Sequence, residues 1–112
     1  MRDDKERLRD ILEAITQIEK YTVRGEKEFQ QNELIQILIV HHLQIIGEAS
    51  NSIFKKLINK YSKVPWAEII AFRNILVHEY FRVDIQTIWK IVERDLSDLK
   101  EQVQIILKSE KL

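Results

Sequence analysis

The chain has 112 residues, and its 18 Lys and Arg are balanced by 18 Asp and Glu, so the formal net charge is zero. The length suits one domain spanning residues 1–112, and the neutral balance argues against a general polyanion binder, which carries a basic excess. The lack of cysteine excludes disulfides, thiolate metal sites and thiol nucleophiles, and the two Gly and one Pro disfavour β-sandwiches and Gly-rich phosphate loops. The first residues, Met1-Arg2-Asp3-Asp4-Lys5-Glu6, are charged and carry none of the apolar run of a signal peptide. The longest nearly apolar stretch, residues 34–40, is too short to span a bilayer, so a cytoplasmic protein with no membrane association is expected.

The spacing predicts a first helix over residues 4–22, with Leu8, Ile11, Leu12, Ile15 and Ile18 on one face. Gly25 ends it, and a loop is expected to about residue 30. A second helical segment covers residues 31–61. Nine of the thirteen positions 34–46 are apolar and point in all directions, so that helix needs cover on every side, part of it from a partner subunit. A straight helix of that length would be about 45 Å long, so a bend is expected near Gly47-Glu48-Ala49-Ser50, where small residues also admit a neighbouring backbone. The third helix opens at Pro65 and runs to about His78. The fourth starts after Asp84, a suitable N-cap, and carries the seam Ile85, Trp89, Val92, Leu96, Leu99, Val103 and Ile106. No segment alternates with period two. The expected fold is all-α, an antiparallel up-down bundle of four main helices.

The histidines are His41, His42 and His78. No HxxxH or HExxH pair occurs, so no metal site is expected. His42 reads as a hydrogen-bonded core or interface residue, and His41 as exposed. His78 differs in its neighbours. Asn74 lies one turn before it on the same face, and Arg73 is long enough to reach back from about 140° round the helix. A turn after His78 would bring Tyr80 beside it. An Arg, a His and supporting polar groups at a helix C-terminus, with no nucleophile of their own, suit phosphoryl transfer on RNA. There the 2′-OH attacks, a His moves the proton, and an Arg holds the phosphate and its developing charge. No cofactor is called for.

The string Arg73-Asn74-x-x-x-His78-x-Tyr80 resembles the R-x4-H-x-Y motif of HEPN domains. The similarity is to the HepT-like toxins of minimal nucleotidyltransferase/HEPN toxin–antitoxin pairs. It extends to Ile46-Gly47-Glu48-Ala49, Val64-Pro65-Trp66, Tyr80-Phe81-x-Val83-Asp84, Ile88-Trp89-x-Ile91-Val92 and Asp95-Leu96. The resemblance implies a dimerising helical bundle with both motif helices lining a cleft between subunits. It implies metal-independent endoribonuclease activity, with Arg73 and His78 as the catalytic pair and Asn74 and Glu48 in support. It also implies a nucleotidyltransferase antitoxin of type VII kind that AMPylates Tyr80, placing bulk and negative charge where RNA phosphate would sit. The RNA, whether tRNA or mRNA, stays open.

Each residue also has a plainer reading. Arg73 could pair with Glu68 or Glu79, Tyr80 could pack in the core, and Trp66 and Trp89 read as core anchors. Lys55, Lys56, Lys60, Lys63 and Arg82 could form a local RNA-binding patch or a solvated face. The alternative functions are a non-catalytic HEPN module, binding nucleotide or RNA or assisting a nucleotidyltransferase, and a dimeric helical scaffold.

Overall fold

The Asp3 carboxylate accepts a hydrogen bond from the Glu6 backbone N–H at 2.8 Å and starts the first helix. A computed structural model describes residues 3–79 and 83–110, and among these residues the fold is all-α. The helices are α1 (Asp4–Thr22), α2 (Glu26–Gln31), α3 (Glu33–Asn51), α4 (Lys55–Lys60) and α5 (Trp66–Glu79). A last continuous helix comprises α6 (Ile85–Lys90), a π-helical turn (Ile91–Asp95) and α7 (Leu96–Ser109).

The apolar periodicity becomes the core. Leu8, Ile11, Ile15 and Ile18 of α1 are fully buried, as are Ile39 of α3 and Val103 and Ile106 of α7. Each such side chain removed from water contributes about 1.5–3 kcal/mol. Helix α3 is the hub, packing on α1 to one side and α5 to the other, while α7 covers α1. Trp66 and Trp89 are buried anchors, as expected. Lys100 Nζ donates to Glu19 Oε1 at 3.0 Å and pins α7 to α1. Asp84 caps α6 by accepting from the Gln86 N–H at 3.1 Å. No helix among the described residues is long and apolar enough to cross a membrane.

Two local expectations are corrected, and the last helix departs locally from α geometry. The stretch expected as a loop after Gly25 forms α2, because Phe29 is buried with its ring centroid 5.3 Å from that of Trp89. Gln36 holds the end of α2 by donating to the Phe29 carbonyl at 2.9 Å. The long second segment breaks at residues 52–54 rather than at 47–50. Gly47 stays helical, and α3 ends where the Ser52 N–H turns back to the Ala49 carbonyl and the Phe54 N–H donates to Asp4. The last helix widens at Ile91–Asp95, where the Leu96 N–H bonds back to the Ile91 carbonyl across five residues.

Helix α5 occupies an edge. Its sequence is apolar nearly all round, yet only Trp66 and Leu76 are buried, and Ile75 and Val77 each remain 42% exposed. On α3, Leu34 and Ile37 are also exposed, at 65% and 49%.

Candidate functional site

Helices α3 and α5 run antiparallel. Gln44 Nε2 donates to the Leu76 carbonyl at 3.5 Å, and Gly47 lies against Arg73, so rising numbers on α3 meet falling numbers on α5. The approach at Gly47 is close. A Cβ there would overlap Arg73 Cβ and stand 3.5 Å from Arg73 Cα. A glycine at this position therefore lets the Arg73 stem leave α5 across the surface of α3.

That path delivers the guanidinium to two oxygens. Arg73 NH1 donates to Asn74 Oδ1 at 2.9 Å, and NH2 to Glu48 Oε1 at 3.4 Å. Arg73 is thus paired with Glu48 rather than with the Glu68 or Glu79 of its plainer reading. The planar fork is oriented by these contacts, which is the condition for holding a phosphate bidentately. Its Nε is buried with no hydrogen-bond partner among the described residues. The Asn74 oxygen is engaged by Arg73, which leaves its NH2 group as a donor. His78 lies one helical turn after Asn74 on the same face, exposed at the end of α5. The structure thus brings Arg73, Asn74 and Glu48 into contact and sets His78 one turn beyond them.

One side of α3 leads directly into this cluster. Ile37, His41, Gln44 and Glu48 follow one another at helical spacing along one side of α3, ending at the carboxylate that binds Arg73. Gln44 was not singled out from the sequence, although a polar residue inside an apolar run was the available signal.

The remaining candidates stand apart. Tyr80 and Arg82 lie outside the described residues. Lys55, Lys56 and Lys60 sit on α4, and Lys63 follows it, all at the Trp66 end of α5; His78 is about 18 Å of helix away. Lys60 is also engaged, donating to Glu110 Oε2 at 2.8 Å, and Tyr61 donates to the same oxygen at 2.6 Å. These bonds hold the Glu110 carboxyl below its usual range and push Lys60 and Tyr61 up. His42 is half-buried but not hydrogen-bonded as expected: its Nδ1 is buried without a partner among the described residues. Burial lowers its pKa, and the neighbouring His41, ring centroids 5.3 Å apart, lowers it further against a smaller opposing pull from Glu13. His41 is exposed, as expected. No cluster of three or more His, Asp or Glu side chains suited to a metal ion occurs among the described residues.

Comparison with known proteins gives one consistent result. The sequence model of the family described as "Ribonuclease HepT-like" matches residues 11–106. A Methanocaldococcus jannaschii protein named "Putative RNase MJ1380" is 40% identical over 106 residues, covering 94% of this chain and 97% of its own. "Probable ribonuclease HepT" of Thermococcus cleftensis is 37% identical over 111 residues, covering 96% of this chain and 98% of its own. "Putative RNase TTE0752" of Caldanaerobacter subterraneus is 37% identical over 108 residues, covering 92% and 96%. No solved structure matches the chain.

Proposed function

The chain belongs to the HepT-like ribonuclease family, and from that premise we propose that it is a metal-independent endoribonuclease acting as the toxin of a toxin–antitoxin pair. The observation that carries this reading is the Arg73 guanidinium, oriented by Glu48 and Asn74 one turn before the exposed His78. In the proposed reaction the RNA 2′-oxygen attacks the adjacent phosphorus and the bond to the 5′-oxygen breaks. The products are a 2′,3′-cyclic phosphate and a 5′-hydroxyl. His78 accepts the 2′-OH proton as the new bond forms. Arg73 holds the phosphate and offsets the negative charge that builds on its oxygens. Asn74 contributes a donor, and Glu48 keeps Arg73 in place.

The leaving 5′-oxygen needs a proton from a second acid. A homodimer supplies one as the His78 of a second copy. Four uncovered apolar side chains, Leu34 and Ile37 on α3 and Ile75 and Val77 on α5, support such an assembly, which would take them out of water. Lys55 and Lys56 on α4 and Lys63 after it are candidates to meet more distant phosphates of the same RNA, with Arg82 as a further candidate. The partner in this reading is a minimal nucleotidyltransferase antitoxin that AMPylates Tyr80, two residues from His78, and so sets phosphate charge against the RNA path.

The test is incubation of the partner-free protein with total RNA in EDTA, beside His78→Ala and Arg73→Ala. Cleavage by the unsubstituted protein alone, leaving 2′,3′-cyclic phosphate ends, is the expected result. Intact RNA in all tubes, from protein whose mass shows Tyr80 unmodified, would overturn it in favour of a non-catalytic binding module.

A further inference from the structure

A second feature lies on the other side of α5. Phe72 and Asn74 project about 160° apart round that helix, so the face carrying Phe72 turns away from the Arg73–His78 cluster. There α5 and the last helix diverge over α3 and leave a groove of about 500 Å³. Its floor is apolar, formed by Leu43 and Ile46 of α3 with Ile69 and Phe72 of α5. Its rim is acidic: Glu68 on one side and Asp95, Asp98 and Glu101 on the other, against one cation, Lys63, at an end.

Three observations say what fits it. First, none of the four carboxylates has an ion pair or a side-chain hydrogen bond among the described residues, whereas Glu19, Glu28, Glu48 and Glu110 all have cations. In a chain of zero net charge this is a local concentration of unanswered negative charge beside apolar surface. Second, Asp95, Asp98 and Glu101 recur every three residues, so they form an oblique row that climbs about 4.5 Å and turns about 60° round the helix at each step. Lys or Arg at three- and four-residue spacing on another helix matches that row. Third, Asp95 closes the π-helical turn, and such widened turns occur preferentially where a helix surface is adapted to a function.

We propose that this groove docks an amphipathic helix of about three turns from a partner protein. The wall from Ile91 to Gln102 sets that length at about 16 Å. The partner's Leu, Ile or Phe stripe enters the groove, and its flanking Lys and Arg face Glu68 and the Asp95–Asp98–Glu101 row. This chain's own basic helix does not suit the role. Helix α4 has six residues, Leu57 is buried within its own subunit, and Lys60 is held by Glu110. The proposal stands independently of the ribonuclease reading.

The experiment uses the full chain and a fluorescent helical peptide of about 14 residues, with leucines on one stripe and lysines on both flanks. A control peptide replaces every lysine with glutamate. The lysine peptide is expected to bind and to weaken as salt rises, while the glutamate peptide does not bind. The triple variant Asp95→Asn, Asp98→Asn, Glu101→Gln changes three exposed positions and should keep its helicity and any RNA cleavage, yet lose binding at least about tenfold. Ile69→Ala should weaken binding with the charges intact. Equal binding of both peptides, no binding, or unaltered binding by the triple variant would overturn the proposal. So would a change in the chain's own oligomeric state in that variant, which would assign the groove to a second copy.

Discussion

Gly47 and Arg73 share one point of contact between α3 and α5: the space a side chain at 47 would fill is taken by the stem of Arg73. Two effects oppose each other in Gly47→Ala. Alanine gains about 1 kcal/mol of intrinsic helix preference over glycine. Overpacking against Arg73 Cβ costs about 1–3 kcal/mol and pushes the stem off its path. Steric overlap should win, because the atom in the way is the base of the Arg73 side chain, next to backbone, and not its flexible tip. A lower melting temperature together with loss of RNA cleavage is expected. A melting temperature above that of the unsubstituted protein would show that the contact yields to a methyl group.

Glu48→Gln separates orientation from stability. The Arg73–Glu48 pair is partly solvated, with side chains 26% and 56% exposed, so the stability change should stay below about 1 kcal/mol. Cleavage should nevertheless fall several-fold, because the amide oxygen that remains accepts from Arg73 without the charge that strengthens the bond. Thermal unfolding and initial cleavage rates measured on the same preparation check both halves; an unaltered rate would remove Glu48 from the site.

Ile37→Glu tests the uncovered face. Ile37 is half-exposed, so a charge there costs the isolated subunit little. In a dimer packed through this face it would be buried without a partner. Sedimentation should show the variant as a monomer, with cleavage lost and helicity retained. A variant that sediments as the parent does would place any dimer contact elsewhere.

His42 gives a pH dependence with a defined sign. Burial, and then the nearby His41, lower its pKa below 6.5 in the folded chain, with Glu13 opposing in part. Between the folded and unfolded values the unfolded chain holds more protons. Stability is therefore unpenalised above about pH 6.5 and declines as pH falls below it. In His42→Leu this decline should be shallower between pH 7 and 5. Parallel melting curves for the two proteins across that range would contradict the assignment.

Phe29→Ala should be the most damaging of these changes to the fold. Phe29 is 1% exposed and packs its ring against Trp89, so truncation costs about 3–5 kcal/mol. Denaturant unfolding reads this directly, and a loss below about 1 kcal/mol would mean that α2 contributes little to the core.

Much of this architecture is legible in the residues alone. The apolar spacing of Leu8, Ile11, Ile15 and Ile18, and of Leu96, Leu99, Val103 and Ile106, fixes which helix faces turn inward, because a period near 3.6 can be buried on only one side. Asp84 announces the start of α6 by its chemistry, and the order Arg73, Asn74, His78 places three polar side chains near one helix end by spacing alone. Small residues around Gly47 signal that something comes close. What approaches, and from where, depends on tertiary structure. The antiparallel register of α3 and α5 brings Arg73 to Gly47 and to Glu48, the latter 25 residues away in sequence, and no local pattern pairs them. The fold likewise turns a presumed loop into α2, since burying Phe29 against Trp89 outweighs the weak helix preference of a six-residue stretch. It widens the last helix at Ile91–Asp95 and sets three carboxylates along an apolar groove. Periodicity acts within a helix and can be read along the chain, whereas register, close approach and grooves arise between helices and exist only once they pack.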